Sequence, residues 1–255
     1  MSRSIRIAIA QIAAVWLQRE ATLEKMQSYV QQAGKQECDL IVFGEAILPG
    51  YPFWVELTDG ARFNSPVQKA LHAHYMTQAI QPEAGHLDGL CKLAQKHQIA
   101  IVTGSIERAV DRGGHSLYCS LIYISKAGKI ENVHRKLMPT YEERLTWAPG
   151  DGHGLRTFPI GPFTMGGLNC WENWMPLPRA ALYALGEDLH LALWPGNVRN
   201  TEILTRFLAR EGRSYVVSVC GIMRKEDFPE KTPHLDLFLE NAPDWMANGG
   251  SCIAN

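Results

Sequence analysis

The chain has 255 residues, a formal net charge of -1, 46% hydrophobic and 20% charged residues. This is the balance of an ordinary globular protein, long enough to bury a sizeable core. No basic stripe marks a nucleic-acid partner, and no apolar run approaches the roughly 18 residues of a membrane span.

Apolar strands alternate with amphipathic helices along the chain. Residues Ile5 to Gln11 read as a first strand, with no secretory cleavage pattern around them. Residues 21–34 form a helical stripe of Leu23, Met26, Val30 and Ala33, closed by Gly34. "DLIVFGE" is a short buried strand ending at Glu45. Residues 46–66 are loop-like, rich in Pro, Gly and aromatics, and helical patterns follow near 66–80 and 86–97. "IAIVTGSIE" is another buried strand. "SLYCSLIYIS" and "KIENVHRK" flank "KAGK" as a hairpin.

"FTMGGLNC" reads as a strand ending at Cys170. Then come a helix, 177–186, stopped by Gly186; the strand "LHLALWPG"; a helix, 201–213; and the strand "SYVVSVCGIM". A polar segment, 224–247, leads to "GGSCIAN". There is no linker, low-complexity stretch or strict repeat, so 1–255 reads as a single domain. One pattern occurs twice: helix, buried strand, then a reactive residue at the strand's C-terminal end, at Glu45 and at Cys170. Strands between helices imply sheets covered by helices, and the hairpin implies that they are mixed. Ligand sites in such folds favour the strand ends.

The six cysteines, Cys38, Cys91, Cys119, Cys170, Cys220 and Cys252, lie tens of residues apart with no C-x-x-C pair. That argues against a disulfide scaffold or a zinc cage and makes a reducing cytoplasm the default setting. Taken alone, each is a small buried hydrophobe. Cys170 differs in its surroundings: Gly166 and Gly167 precede it, and Trp171 and Trp174 stand ready to exclude water. A thiol with an ordinary pKa is only a few per cent thiolate at neutral pH and needs a base beside it.

Glu45 ends a buried strand, where a carboxylate is costly unless paired or protonated. It is either a loop cap or surface ion-pair partner, or a general base with a raised pKa. Lys136 ends a strand before an aromatic-rich loop that carries Glu142, Glu143 and Arg144. Most lysines in such a position are solvated. His134 is another candidate base for the cysteine, although nothing in the sequence orients it. His72 and His74 alternate without an acidic companion and make no metal site. "PGYP", 49–52, and "GDGHG", 150–154, are turns rather than phosphate cradles.

Three stretches decide between these readings: "VFGEAILPGYPFW", "HRKLMPTYEERLTWAPGDG" and "GGLNCWENWMP", in the order Glu, Lys, Cys. Together they resemble the nitrilase superfamily of carbon–nitrogen hydrolases, and the likeness runs from "RIAIAQI" to "GGSCIA". The resemblance implies a catalytic triad of Glu45, Lys136 and Cys170, with Glu143 as a second glutamate beside the lysine. "CWEN" and "PTYEERLTW" look like the nitrilase branch. Implied is hydrolysis of a nitrile to the carboxylic acid and ammonia through a covalent thioimidate and acyl-enzyme on Cys170. The alternatives are hydrolysis of a small amide by the same residues, or a non-catalytic interaction module.

The resemblance further implies a four-layer α-β-β-α sandwich with two mixed sheets and no metal or organic cofactor. It implies a substrate site lined by Tyr51, Trp147, Trp171 and Pro195, whose aromatic content suits aryl or arylaliphatic nitriles. It also implies a homodimer, extendable to a spiral, joined through the outer helices 178–186 and 200–212. Members of this branch usually continue for dozens of residues beyond the point matching Asn255, with further strands and a tail. Asn197, after "WPG", stands where a smaller residue is expected, with a reshaped pocket as the consequence.

Overall fold

The computed structural model describes residues 4–255. In chain order the first half contains β1 (Ile7–Ala10), α1 (Arg19–Lys35), β2 (Leu40–Phe43), α2 (Trp54–Leu57), α3 (Pro66–Gln78), α4 (Asp88–His97), β3 (Ala100–Arg108), β4 (Leu117–Ile124) and β5 (Ile130–Arg135). The second half contains β6 (Phe158–Ile160), β7 (Phe163–Asn169), α5 (Pro176–Ala184), β8 (Leu189–Trp194), α6 (Val198–Gly212), β9 (Tyr215–Cys220), β10 (Ile222–Arg224), α7 (Leu235–Asn241), β11 (Trp245–Asn248) and β12 (Cys252–Ala254).

Two five-stranded sheets result, ordered β1-β2-β3-β4-β5 and β12-β9-β8-β7-β6. Each has three parallel strands, β1/β2/β3 and β7/β8/β9. Antiparallel neighbours complete each sheet. The strands are apolar on both faces because both faces are covered. Alternation still sorts them. Leu40 and Val42 of β2 meet Leu189, Leu191 and Leu193 of β8, and Val217 and Val219 of β9, between the sheets. Ile41 and Phe43 point the other way, onto Leu23, Met26 and Val30 of α1 and Leu90 and Ala94 of α4. On the far side Ala192, Trp194 and Val216 pack under Leu204, Leu208 and Ala209 of α6. The layers are therefore α-β-β-α. Among the described residues no helix is long and apolar enough to cross a membrane.

At the strand ends the two sheets meet backbone to backbone. A Cβ on Gly44 would lie 2.7 Å from the Gly221 nitrogen and 2.9 Å from the Trp194 carbonyl oxygen. No other residue fits there without separating the sheets. Next door, the Glu45 N–H donates across the sheet interface to that same Trp194 oxygen at 3.1 Å, which also accepts the Gly221 N–H at 3.2 Å.

Several sequence expectations need correction. Gly34 does not stop α1, which runs on to Lys35; a Cβ there would meet the His97 ring at 2.6 Å, so the glycine is a packing notch against the end of α4. The loop 46–66 contains α2, whose Trp54, Val55 and Leu57 are buried. The polar segment 224–247 contains α7 and most of β11, which pairs with β10. It is anchored by Phe228 and Phe238, which pack edge-on to Trp16 at centroid distances of 4.8 and 5.2 Å. The short strand β6 was not expected. Asn197 is exposed and caps α6, accepting the Arg199 N–H at 2.9 Å.

Gly44→Ala should cost about 1–3 kcal/mol, the usual penalty of overpacking. Thermal unfolding should show a melting temperature lower by several degrees.

Candidate active site

β2 stops at Phe43, and Glu45 follows two residues later on the turn. β5 stops at Arg135, immediately before Lys136, whose N–H donates to the Cys119 carbonyl of β4 at 2.7 Å. β7 stops at Asn169, and Cys170 opens a 3₁₀ turn, Cys170–Trp174. Cys170 has φ +43°, a left-handed conformation that costs a side chain about 1–2 kcal/mol. That turns the chain away from the strand direction. Glu143 sits in a second 3₁₀ turn, Tyr141–Leu145.

These four positions, far apart in sequence, meet. The Lys136 ammonium donates to Glu45 Oε1 at 2.9 Å and to Glu143 Oε2 at 2.7 Å. One atom each of Glu45, Glu143 and Cys170 (two carboxylate oxygens and Sγ) lie within 4.8 Å of one another. Glu45, Lys136 and Glu143 are buried, while Cys170 is partly exposed. Tyr51 Oη donates to Glu143 Oε1 at 2.9 Å and has a second acceptor, Glu142 Oε1, at 3.2 Å. The Thr140 N–H takes Glu143 Oε2 at 2.7 Å. Both Glu143 oxygens are thus engaged. Glu45 is different: Oε1 receives Lys136 and, at 3.5 Å, the Cys119 thiol, whereas Oε2 is buried with no partner among the described residues.

The electrostatics follow from this packing. Burial pushes the Glu45 carboxyl up to about 7; Lys136 opposes the rise and Glu143 adds to it. Burial by itself would lower the Lys136 pKa, but Glu45, Cys170 and Glu143 hold it well above the usual lysine range. The Cys170 thiol is pushed well up, first by burial and then by the Glu45 charge, against Lys136 and the Trp171 N–H, which favour the thiolate.

The four residues expected to line a substrate site take different places. Tyr51 and Pro195 line a cavity of about 20 Å³ beside Glu45, together with Phe53 and Gly221. That is room for one water. Trp147 is buried edge-on to Tyr51, with the Lys136 ammonium 5.4 Å from its ring centre. Trp171 is 49% exposed and stacks on Trp174. His134 does not reach for the cysteine: its Nε2 lies 3.1 Å from each oxygen of Glu172. His72 bonds the Thr146 hydroxyl, and His74 the Leu17 carbonyl.

The sequence reading missed Cys119, which looks like any buried cysteine until β4 is laid against the Glu45 turn. It also missed Asn173, whose Nδ2 donates to the Cys170 carbonyl at 2.9 Å and whose Oδ1 meets His190 at 2.8 Å. The place of Asn173 three residues after Cys170 was the available signal.

A buried ammonium between two glutamates, with a cysteine at the same point between two abutting sheets, defines a thiol-bearing site at strand ends. Residues 6–255 match the family model described as Carbon-nitrogen hydrolase, and the chain belongs to that family. It is 34% identical to Nitrilase 2 of Arabidopsis thaliana, covering 99% of this chain and 74% of that protein. It is 36% identical to an aliphatic nitrilase of Sinorhizobium fredii (strain HH103), covering 97% and 78%. A mutant of the Nesterenkonia AN1 amidase from the nitrilase superfamily shares the fold, with a TM-score of 0.68 at 18% identity over 87% of this chain and 78% of that one.

The raised Glu45 pKa has a consequence for stability. Between its ordinary value of 4.5 and about 7 the folded state holds a proton that the unfolded state releases. Unfolding free energy from this group therefore falls as pH rises through that window. Denaturant titrations at several pH values should show this slope in the wild type and its loss in Glu45→Gln.

Proposed function

We propose that the protein hydrolyses a nitrile to the carboxylic acid and ammonia, with Cys170 as nucleophile. The observation that carries this reading is the meeting of the Cys170 thiol with Glu45 and Glu143 around one buried ammonium. The nitrilase names of relatives at 34% and 36% identity support the choice of substrate class.

Glu45 serves as the base because Oε2 is its free oxygen, whereas both oxygens of Glu143 are occupied. A pKa near 7 lets it take a proton and return it at neutral pH. The thiol proton passes to Glu45 as sulfur attacks the nitrile carbon. Glu45 then protonates the nitrogen, and a thioimidate forms. Water adds, ammonia leaves as the C–N bond breaks, and a thioester remains. A second water releases the acid and restores the thiol. Negative charge develops at each addition, and the Lys136 ammonium and the Trp171 N–H would stabilise it. Glu143 holds Lys136 from the far side and is held in turn by Tyr51 and Thr140. Glu45 and Glu143 flank one ammonium.

Self-association belongs on the outer face of α5 and α6. Leu177, Ile203 and Phe207 are exposed there by 80%, 72% and 48%, an apolar patch of the kind that marks a protein interface.

Ammonia release should be measured on benzonitrile, phenylacetonitrile, an aliphatic dinitrile and the matching amides. Turnover of at least one nitrile is expected, and turnover of amides alone would overturn the reading. Cys170→Ala should abolish turnover. The rate should fall as pH drops through about 7, where Glu45 becomes protonated; a flat profile from pH 4 to 9 would remove Glu45 from the base role, the bounds being on the order of the working range of such profiles.

A further inference from the structure

The reactive groups stand on separate turns, and one side chain outside the quartet touches both. The turn carrying Lys136 leaves the first sheet, and the turn carrying Cys170 leaves the second. The Glu172 carboxylate lies between them, fully buried. Its Oε1 accepts the N–H of Leu137, the residue after Lys136, at 2.7 Å. Its Oε2 accepts the N–H of Asn169, the residue before Cys170, at 2.9 Å. His134 Nε2 lies 3.1 Å from each oxygen and fixes the plane of the carboxylate.

We propose that Glu172 is a positioning residue that sets the distance between the Lys136 ammonium and the Cys170 sulfur by tying the two turns to one carboxylate, with His134 orienting it. The inference rests on the reading of Cys170 as the nucleophile. A carboxylate suits the task because, ionised, it only accepts, and it offers two oxygens to two backbone donors. Burial by itself raises the Glu172 carboxyl pKa, but His134 and the Leu137 and Asn169 N–H groups outweigh it and hold the group below the usual range. The tether also constrains the turn that keeps Cys170 at φ +43° and holds the Trp171 N–H toward the sulfur. Releasing either end lets one reacting group drift while leaving the other in place.

Glu172→Gln tests this. It preserves size, but its amide nitrogen faces one of the two backbone N–H groups and cannot accept from it. Two measurements are made: kcat and KM on the best nitrile, and the rate of Cys170 alkylation by iodoacetamide, resolved by peptide mass spectrometry. A misplacement of about 1 Å is worth on the order of 100-fold in rate, so kcat should fall by roughly 10- to 100-fold with KM within about threefold, and alkylation should slow by about tenfold. Circular dichroism should be unchanged. A folded Glu172→Gln with wild-type kcat and alkylation rate overturns the inference, as does a variant that changes KM alone.

If Glu172→Gln does not fold, Glu172→Asp takes its place. It keeps both oxygens on a shorter stem, and a wild-type alkylation rate in it overturns the inference equally. If the wild type turns over no nitrile or amide, the functional reading fails, and the alkylation comparison still decides the role of Glu172.

Discussion

Lys136 buries its ammonium 2.9 Å from Glu45 and 2.7 Å from Glu143. A lone ion taken out of water costs several kcal/mol, and removing one partner of a buried pair typically costs about 3–5 kcal/mol. The ammonium is tolerable only when both carboxylates are in place. That requirement joins the end of β2, the end of β5 and the 141–145 turn into one unit. One ammonium against two carboxylates also leaves an excess of negative charge in a buried site. The raised Glu45 pKa is the response to burial, which Lys136 opposes and Glu143 reinforces.

The same arrangement divides the labour between two chemically identical side chains. Glu143 receives Lys136, Tyr51 and the Thr140 N–H, so it is fixed on all sides. Glu45 receives Lys136 and Cys119 on one oxygen and keeps the other free. One glutamate is therefore engaged through both oxygens and the other through one. Environment alone makes the difference.

Much of the fold was legible in the sequence because burial leaves a period. The stripe of Leu23, Met26, Val30 and Ala33 marked α1, and the runs at 40–43 and 189–194 marked central strands. Segment 224–247 showed no elements in the sequence because its apolar anchors, Phe228 and Phe238, are ten residues apart among charges. Their partner, Trp16, lies at the other end of the chain. The site was legible as an order of motifs, Glu, Lys, Cys, but not as a geometry. No local pattern distinguishes Trp147 as a floor under the ammonium from Trp171 as a half-exposed ring. The pairing of His134 with Glu172 depends on strands of two different sheets ending side by side, which no spacing along the chain encodes.

The Trp194 carbonyl accepts from Glu45 of one sheet and from Gly221 of its own. The gap between the sheets is thus a working dimension as well as a packing one. A bulkier side chain between β2 and β8, remote from the cysteine, would wedge the layers apart and draw Glu45 away from the Trp194 carbonyl. Laboratory variants that repack the interior for heat resistance would on this account be sorted by layer: those under the helices sparing turnover, those between the sheets eroding it.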